Sequence, residues 1–425
     1  MRINPSRRGV LGGMAAAAFW PGTLRAASAG VSPLPGADFP PTAPGARAFL
    51  AATRAARVIG LGEATHGSHE IFELKTSFIT ALAQAGRLSA IGFEIGGAAM
   101  LPLDEIVREG RPDAIAPLLK ATGNFTVATA EMTALIELIR RINQSRPAAR
   151  RIALFGYDVQ TPGADAAAIV ALCDRAKVAV AFPAPFTELA ANPRPIQAYN
   201  PATASAFVAA VAPARAAFQA ARPALEAALG APAVAARARL FDAIDNAFAL
   251  FKQPSFEAAY AQRDAFGAQR ILAEAKQTTG QVAVWAHNGH INRETHEFSG
   301  VKLLGGVLGD ALGAGYFALG TAFRDGEARA QRQGVKGVIV NTLGPARDGS
   351  LDVALAALGK AYFVTLPQLE RLPGWRERAA AQLGLRAIGG GYEPENDTRT
   401  YRPTTLATQY DGIAFIDTVS ASTPL

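Results

Sequence analysis

The histidines of this sequence are concentrated in two short segments that also carry carboxylates or glycines. The first segment spans residues 62–70 and contains Glu63, His66 and His69. A histidine can act as a general base near neutral pH because its unperturbed pKa lies close to the working range. A neighbouring glutamate can orient the ring and stabilise the imidazolium that forms. The pairing of Glu63 with His66 therefore predicts a water-activating site, although a lone His66 would more simply cap a helix or satisfy a buried carbonyl.

The second segment, residues 286–290, contains His287 and His290 in the run His-Asn-Gly-His. Two imidazoles at this spacing can face one side of a turn, where they would polarise a substrate carbonyl, hold its oxyanion or bind a metal such as zinc. The sequence does not decide between these uses, although the zinc motif H-E-x-x-H is absent. His69 is predicted to support the site from behind, and His296 to lie on the surface.

The elements that must position these residues are predicted to be parallel strands. Each histidine segment directly follows a strand-like run, Glu94 ends another, and Asp158 lies just past a third. Ligands of parallel α/β sheets bind at the carboxyl ends of the strands, so residues from distant segments converge there. Gly60, Gly62 and Gly67 allow a tight turn in the first segment. Ser68 is suited to cap a helix that runs to about residue 85.

Alternation of short β-branched runs with longer helix-like stretches predicts an α/β fold with a largely parallel sheet flanked by helices. The tract at about 164–280 is rich in Ala, Leu and Arg, with apolar residues at three- and four-residue intervals, and is predicted to be a helical insertion or cap. The predicted strands cover residues 57–61, 90–93, 152–155, 282–285, 316–320, 338–340, 362–366 and 413–416.

The N-terminus has the pattern of a twin-arginine export signal. Arg7 and Arg8 precede an apolar stretch at residues 11–24, and Ala27-Ser28-Ala29 forms an A-x-A cleavage site. We therefore expect residues 1–29 to be a signal peptide that engages the twin-arginine export machinery, and residues 30–425 to be the catalytic domain of a periplasmic or secreted protein. No later stretch is predicted to cross a bilayer.

Composition excludes several classes of function. The net charge is +7, but residues 1–29 hold four arginines and no acid, so the remainder is nearly balanced and predicts neither nucleic-acid binding nor an anionic lipid surface. Cys173 is the only cysteine, which rules out an intrachain disulfide and a cysteine-rich zinc site, and we interpret it as a core residue. The G-x-S-x-G elbow of serine hydrolases is absent.

Taken together, the motifs resemble those of the erythromycin esterase family over roughly residues 45–420. The two specific matches are residues 61–75 and 285–290. Further matches that support the resemblance are Gly92-Phe93-Glu94, Glu131, Arg140, Asn143, Gly156-Tyr157-Asp158-Val159-Gln160, Arg263-Asp264 and Tyr410-Asp411-Gly412. The chain departs from the family at residues 124–127, which lack a tryptophan expected at the wall of the substrate site.

The resemblance implies an α/β core with helical additions that opens macrolide lactones or related esters by attack of water. It implies that His66 is the general base, that Glu63 and Glu94 assist it, and that His287 and His290 line the site. From position and resemblance, the substrate-binding residues are predicted to be Lys75, His69, Asp158, Glu131 and Arg263.

We therefore predict a hydrolase of carboxylic esters with a small-molecule ester as its partner and no cofactor. Two alternatives remain open at this point. One is a metal-dependent hydrolase, with zinc or another divalent ion held by the same histidines and glutamates. The other is a non-catalytic exported protein that binds a ligand or takes part in polysaccharide assembly.

Overall fold

The computed structural model describes residues 30–295 and 300–425. The predicted signal peptide and His296 lie outside the described residues. The strands are β1 Ser32–Pro33, β2 Val58–Glu63, β3 Leu88–Gly96, β4 Ala153–Asp158, β5 Gln281–His287, β6 Tyr316–Gln331, β7 Val338–Leu343, β8 Ala361–Thr365, β9 Leu383–Arg386, β10 Tyr401–Thr404 and β11 Gly412–Val419.

Helices surround these strands. The α-helices are α1 Pro44–Ala52, α2 His69–Gln84, α3 Gly97–Glu109, α4 Ile115–Ala121, α5 Ala130–Gln144, α6 Pro162–Ala176, α7 Ala184–Ala191, α8 Pro201–Leu229, α9 Ala231–Ala238, α10 Leu240–Ala249, α11 Phe256–Gln277, α12 Asn288–Ile291, α13 Leu304–Leu312, α14 Leu351–Ala356, α15 Leu366–Leu369, α16 Trp375–Ala380 and α17 Leu406–Gln409. Short 3-10 helices cover Ala148–Arg150, Ile196–Ala198, Leu250–Lys252, Gly313–Gly315 and Pro394–Thr400.

The central sheet has the order β1-β8-β11-β6-β2-β5-β3-β4, and β7 pairs with the far half of β6. The six strands from β11 to β4 in this order run parallel to one another. The strands β1, β7 and β8 form the antiparallel pairings, and β9 and β10 make a separate antiparallel pair. The predicted α/β fold with a largely parallel sheet is therefore confirmed.

Apolar layers cover both faces of the sheet. Every residue of β2 is buried, as expected for a central parallel strand whose two faces are both covered by helices. Leu61, Phe93 and Trp285 belong to the core on one face, and Val284 and Ala318 to the core on the other. All eight predicted strands are present with ends that differ from the prediction by at most three residues, except that β6 continues for eleven residues past its predicted end.

The tract between β4 and β5 is helical and comprises α6 to α11. It has an apolar core of its own, in which Phe186, Phe218 and Phe241 are fully buried. The prediction that no later stretch could cross a bilayer is corrected by helix α8. By length and composition alone, this helix is long and apolar enough to cross a membrane. Ala214 and Phe218 on this helix are buried in the core of the helical tract, but only 28% of its most apolar window is buried.

Two glycines of the first histidine segment permit close packing where β2 ends. A Cβ on Gly62 would lie 2.2 Å from Asn288 Oδ1, and a Cβ on Gly67 would lie 2.0 Å from the carbonyl oxygen of Arg329. Ser68 caps α2, since its hydroxyl accepts a hydrogen bond from the Ile71 amide at 3.4 Å. The cap predicted from the sequence is therefore confirmed, and His66 lies in the turn between β2 and α2.

Candidate active site

The first element of the site is a buried chain of three side chains: His66, Glu63 and Lys75. The Nδ1 atom of His66 lies 2.6 Å from Glu63 Oε1, and Lys75 Nζ donates to Glu63 Oε2 at 2.6 Å. Glu63 is 2% exposed and Lys75 is fully buried. Both carboxylate oxygens of Glu63 are therefore engaged, one by the candidate base and one by a cation behind it.

The charges of this chain depend on one another. Burial is the largest effect on the Glu63 pKa and would raise it, but Lys75 and His66 outweigh burial and hold it below its usual value. Burial lowers the pKa of Lys75 to about 8, although Glu63 opposes this shift. The ammonium also lies 3.9 Å from the centre of the Trp285 ring, a cation–π contact that stabilises its charge.

The second element of the site centres on Glu94, near the end of β3. Its Oε1 lies 3.1 Å from His290 Nε2 and accepts a hydrogen bond from Arg263 at 3.1 Å, and its Oε2 accepts one from the His287 amide at 3.1 Å. Burial, the largest effect, would raise the Glu94 pKa, but His290, His66 and Arg263 hold it well below its usual value. Glu94 is therefore a fixed carboxylate between the two histidine segments.

His290 is held at both ring nitrogens. Its Nδ1 lies 2.8 Å from Asp264 Oδ2, and its Nε2 lies 2.9 Å from the Tyr260 hydroxyl as well as close to Glu94. Burial, the largest effect, disfavours the charged ring, but Asp264 and Glu94 outweigh it and keep the His290 pKa well above its usual value. His290 is thus a buried imidazolium whose contacts suit it to orient Glu94.

His287 has the opposite electrostatic character. Its Nδ1 accepts a hydrogen bond from the Gly289 amide at 3.2 Å, so the neutral ring carries its proton on Nε2. That Nε2 is buried and has no hydrogen-bond partner among the described residues. Burial, followed by repulsion from His66, lowers the His287 pKa to about 3, and the two rings lie 5.0 Å apart. His287 is therefore a neutral N–H donor beside the candidate base.

A cavity of about 190 Å³ opens onto His66, Glu63 and Glu94, whereas His287 and His290 do not line it. His66, Glu63 and Glu94 line its base, and the loop at residues 124–127 forms one wall. Phe125 on this wall lies 4.0 Å from the position that a Cβ on Gly390, another lining residue, would occupy. The lining residues are Glu63, His66, Phe93, Glu94, Asn124, Phe125, Thr126, Val127, Gln160, Trp285 and Gly390.

Three predicted substrate-binding residues, Arg263, Asp158 and Lys75, do not line this cavity. Arg263 on α11 donates to both oxygens of Asp158, each at 2.7 Å, and also to Glu94. Asp158 is 2% exposed. Lys75 is fully buried beneath Glu63. These three side chains therefore hold the two glutamates in place from outside the cavity.

The remaining predicted pair, His69 and Glu131, contacts a different part of the molecule. His69 Nδ1 lies 2.7 Å from Glu131 Oε1, and Glu131 also accepts a hydrogen bond from the Thr423 amide at 2.9 Å. Neither residue lines the cavity. Residues 420–425 bridge the turn that carries His66 and the loop that forms the cavity wall, through the pairs Ser68 with Ala421 and Thr129 with Pro424. His69 and Glu131 therefore tie these three segments together.

Tyr260 is a site residue that the sequence analysis did not identify. Its hydroxyl contacts His290, and its ring stacks on the imidazole with the ring centres 5.2 Å apart. The guanidinium of Arg263 lies 5.4 Å from the centre of the Tyr260 ring. Tyr260, Arg263 and Asp264 follow a three- and four-residue spacing, which places them on one face of α11. This helical spacing from Arg263 and Asp264 is the sequence pattern from which Tyr260 could have been predicted.

The donor atoms of the site are poorly suited to a metal ion. Among the described residues, no group of three or more His, Cys, Asp or Glu side chains is arranged to hold one. Both oxygens of Glu63 and Glu94 and both ring nitrogens of His290 already have hydrogen-bond or charged partners. A metal would have to displace several of these contacts to obtain three protein ligands.

Replacement of Arg263 should destabilise the fold, because Asp158 would remain as a buried carboxylate without its cation. We expect Arg263→Met to lower the free energy of unfolding by about 3–5 kcal/mol in urea denaturation. The matched control is Arg215→Met, which removes an arginine that also pairs with two carboxylates, Asp242 and Asp245, but on the surface. Exposed pairs contribute about 0–1 kcal/mol. Equal losses for the two variants would contradict this account of Arg263.

Comparison with solved structures reveals close similarity of fold. A succinoglycan biosynthesis protein has a TM-score of 0.75 at 20% identity, with 94% of this chain and 97% of that chain covered. A protein from Bacillus cereus gives 0.75 at 19% identity, with 95% and 100% covered. A mutant of the erythromycin esterase EreC in its open conformation gives 0.60 at 15% identity, with 88% and 93% covered.

Comparison of sequences identifies the family. None of the curated protein sequences matches the chain significantly. The sequence model of the family described as erythromycin esterase matches residues 88–419, which is well over half of the chain. This match includes Glu94, His287 and His290 of the site, and the family predicted from the motifs is confirmed. The chain belongs to the erythromycin esterase family.

Proposed function

We propose that this protein hydrolyses a carboxylic ester by direct attack of a water molecule that His66 deprotonates. The observation that carries the proposal is the contact between His66 Nδ1 and the buried carboxylate of Glu63 at 2.6 Å. With its Nδ1 proton donated to Glu63, the ring presents Nε2 as the nitrogen that can accept a proton from water. His66 also lines the cavity in which such a water would lie.

The surrounding charges support this role. Glu63, kept ionised by Lys75, stabilises the imidazolium that forms when His66 takes the proton. Glu94 adds a second negative charge that interacts with His66. On attack, a water O–H bond breaks, its proton moves to His66 Nε2, and the hydroxide oxygen bonds to the ester carbonyl carbon while the C=O π pair moves to the carbonyl oxygen. Collapse of the tetrahedral intermediate re-forms the C=O bond and breaks the ester C–O bond, and the His66 imidazolium gives its proton to the departing alkoxide.

His287 lines a separate cavity of about 40 Å³ and not the one at His66, but its ring lies 5.0 Å from the His66 ring, and we assign to it the stabilisation of the oxyanion of the tetrahedral intermediate. It stays neutral, and its buried Nε2–H has no partner among the described residues. A preorganised donor of this kind becomes useful when charge develops on the substrate oxygen. His290 is less suited to this task since both of its nitrogens are occupied. We therefore assign carbonyl polarisation to His287 and the orientation of Glu94 to His290.

The volume of the cavity supports a small ester as the substrate. Pockets that enclose drug-sized ligands measure about 300–1,000 Å³, whereas the cavity here measures about 190 Å³. A macrolide lactone would require the wall at residues 124–127 to move away. We therefore expect simple aryl or alkyl esters to be hydrolysed faster than macrolide lactones when both are assayed with the protein from residue 30 onward.

Isotope labelling tests the route by which water enters the product. In a single turnover in H2(18)O with the best ester of the panel, direct attack predicts that the released carboxylate contains one labelled oxygen from the first turnover onward. A covalent intermediate on Glu63 or Glu94, opened at the glutamyl carbon, would release an unlabelled acid first and leave the label in the protein. Mass spectrometry of acid and protein distinguishes the two results, and the second would contradict the proposal.

A metal-dependent hydrolase using the same residues is the principal rival. Since the donor atoms of Glu63, Glu94 and His290 are already partnered, we expect dialysis against a chelator to leave kcat/KM within about twofold of its starting value. The control is re-addition of zinc, which should not raise the activity further. Loss of turnover on chelation and its recovery with one equivalent of metal would favour the rival.

The remaining rival is a non-catalytic exported protein. One structural neighbour is a succinoglycan biosynthesis protein. By analogy with that neighbour, the alternative for this chain is a role in polysaccharide assembly. Ligand binding without turnover across the whole ester panel would favour this alternative.

Export itself rests on Arg7, Arg8 and the A-x-A site, and a cell fractionation that finds the Arg7→Lys, Arg8→Lys double variant in the cytoplasm would support it.

A further inference from the structure

Two amide side chains, Gln160 and Asn124, line the cavity at His66 beside the reacting groups. Gln160 lies two residues past the end of β4, and its Nε2 donates a hydrogen bond to Asp158 Oδ2. An ionised carboxylate can only accept, so the amide nitrogen must face Asp158. Because Asp158 does not line the cavity, the carbonyl atom Oε1 is the polar end of Gln160 that remains for a ligand.

Asn124 has the opposite orientation. Its Oδ1 accepts hydrogen bonds from the backbone amide of Thr126 at 3.0 Å and from the Thr126 hydroxyl at 2.9 Å. A backbone N–H can only donate, so the side-chain oxygen must face its own loop. The Nδ2 group of Asn124 is therefore left as a donor on the cavity wall.

Both of these remaining atoms are available to a ligand. Gln160 Oε1 and Asn124 Nδ2 have no hydrogen-bond partner among the described residues. Both keep solvent-accessible surface, since neither is one of the fully buried polar atoms that lack a partner. The wall thus presents one acceptor and one donor whose orientations are fixed, and a hydroxyl group satisfies both because it donates and accepts.

The charges around the cavity exclude other polar groups. Glu63 and Glu94 line it, and among the residues that the structure describes no lysine or arginine does. A carboxylate on the ligand would be repelled and would find no cation to pair with. An ammonium group could not accept the hydrogen bond that Asn124 offers. A neutral hydroxyl group is compatible with both the charges and the two amides.

We propose that Gln160 and Asn124 form a hydroxyl-recognition subsite, and that the substrate is an ester with a free hydroxyl group close to its carbonyl. This inference rests on the proposed ester hydrolysis at His66. The hydroxyl would donate to Gln160 Oε1 and accept from Asn124 Nδ2, with the carbon chain against Phe125. A hydroxyl is also the smallest group that does both, in a cavity of about 190 Å³ that must hold the ester and a water molecule. A site built in this way discriminates against the analogue that lacks the hydroxyl.

A pair of esters that differ only at this group tests the subsite in the protein from residue 30 onward. Ethyl lactate carries a hydroxyl where ethyl isobutyrate carries a methyl group. Each kcat/KM is divided by the rate constant for alkaline hydrolysis without protein, which removes the intrinsic effect of the hydroxyl on the carbonyl. We expect the corrected ratio to favour lactate about tenfold or more, because each of the two neutral hydrogen bonds contributes a factor of about 2–10.

Two variants should reduce this ratio, each by about 2–10-fold, because each removes one of the two hydrogen bonds. Gln160→Met removes the acceptor and keeps a chain of similar length. Asn124→Asp removes the donor and keeps the oxygen that accepts from Thr126, so the loop stays in place. The matched control is Gln262→Met, which removes a glutamine that donates to Asn246 at 3.0 Å outside the cavity, and the ratio should be unchanged in this variant.

Binding without turnover separates failure of the subsite from failure of the proposed hydrolysis. In titrations followed by NMR, we expect lactamide to bind at least about threefold more tightly than isobutyramide, and Gln160→Met to remove the difference. If no ester is turned over but this difference is found, the proposed function fails and the subsite stands.

Three results would overturn the subsite while ester hydrolysis stands. The first is a corrected lactate ratio near one that neither variant changes. The second is an equal loss of the ratio in Gln262→Met and Gln160→Met. The third is equal binding of lactamide and isobutyramide by the unmodified protein.

Discussion

The variant His66→Ala should lose about 10²–10⁴-fold in kcat/KM for the best ester substrate, the range that a positioned general base contributes. The ring lies in the cavity and its Nδ1 is fixed by Glu63, and the carboxylates that share the cavity are engaged elsewhere, Glu94 by His290, Arg263 and the His287 amide and Glu63 by Lys75. His287 is an unsuitable replacement, because burial and His66 lower its pKa to about 3 and its Nδ1 already accepts a hydrogen bond. Steady-state assays from pH 5 to 9 measure the loss.

The matched control for this variant is His69→Ala, which removes a second histidine from the same segment. His69 contacts Glu131 and Glu73 and does not line the cavity. We expect His69→Ala to retain kcat/KM within about threefold and to lose some thermal stability, while His66→Ala melts close to the unmodified protein. Substantial turnover in His66→Ala would exclude His66 as the base, and equal losses in both variants would indicate a structural role for the whole segment.

The sheet and the position of the site could be predicted from the sequence because both depend on local patterns. Short apolar runs predict buried strands, and polar residues directly after them predict groups at the carboxyl edge of the sheet. Glu63, His66, Glu94 and His287 follow this rule and come together in the structure. The two-residue strand β1 and the strands β9 and β10 lacked a comparable apolar run, and the sequence analysis did not identify them.

The partners of the site residues could not be predicted in the same way. Lys75 meets Glu63 across a turn, and Arg263 meets Asp158 across 105 positions of sequence, so these pairs depend on how helices pack on the sheet. The contact of Glu131 with residue 423 likewise depends on the path of the last residues of the chain. Residue type and spacing therefore predicted which side chains carry reactive groups, but not which of them face the cavity and which support it.

Lys75→Met should shift the acid limb of the pH profile of kcat/KM to higher pH. Burial is the largest effect on the Glu63 pKa and raises it, and Lys75 is the largest of the effects that oppose burial. Without the ammonium, Glu63 becomes protonated at higher pH and can no longer stabilise the imidazolium of His66. Breaking a buried ion pair costs about 3–5 kcal/mol and one pKa unit corresponds to about 1.4 kcal/mol, so we expect a shift of at least about one pH unit.

The same contact should also limit activity at alkaline pH. The pKa of Lys75 is lowered to about 8, so the ammonium loses its proton as the pH rises through that value and its attraction for Glu63 is lost. With Lys75 neutral the unmodified protein carries the same charges as Lys75→Met, so we expect its kcat/KM to fall above pH 8 to the plateau of that variant, whose own profile lacks this limb because methionine does not titrate. Lys75→Arg, whose charge persists to high pH, should retain the acid limb and extend activity to more alkaline pH. Identical profiles for Lys75→Met and the unmodified protein would show that the buried ammonium does not control the charge of Glu63, and the role of Glu63 beside His66 would then require a different source of stabilisation.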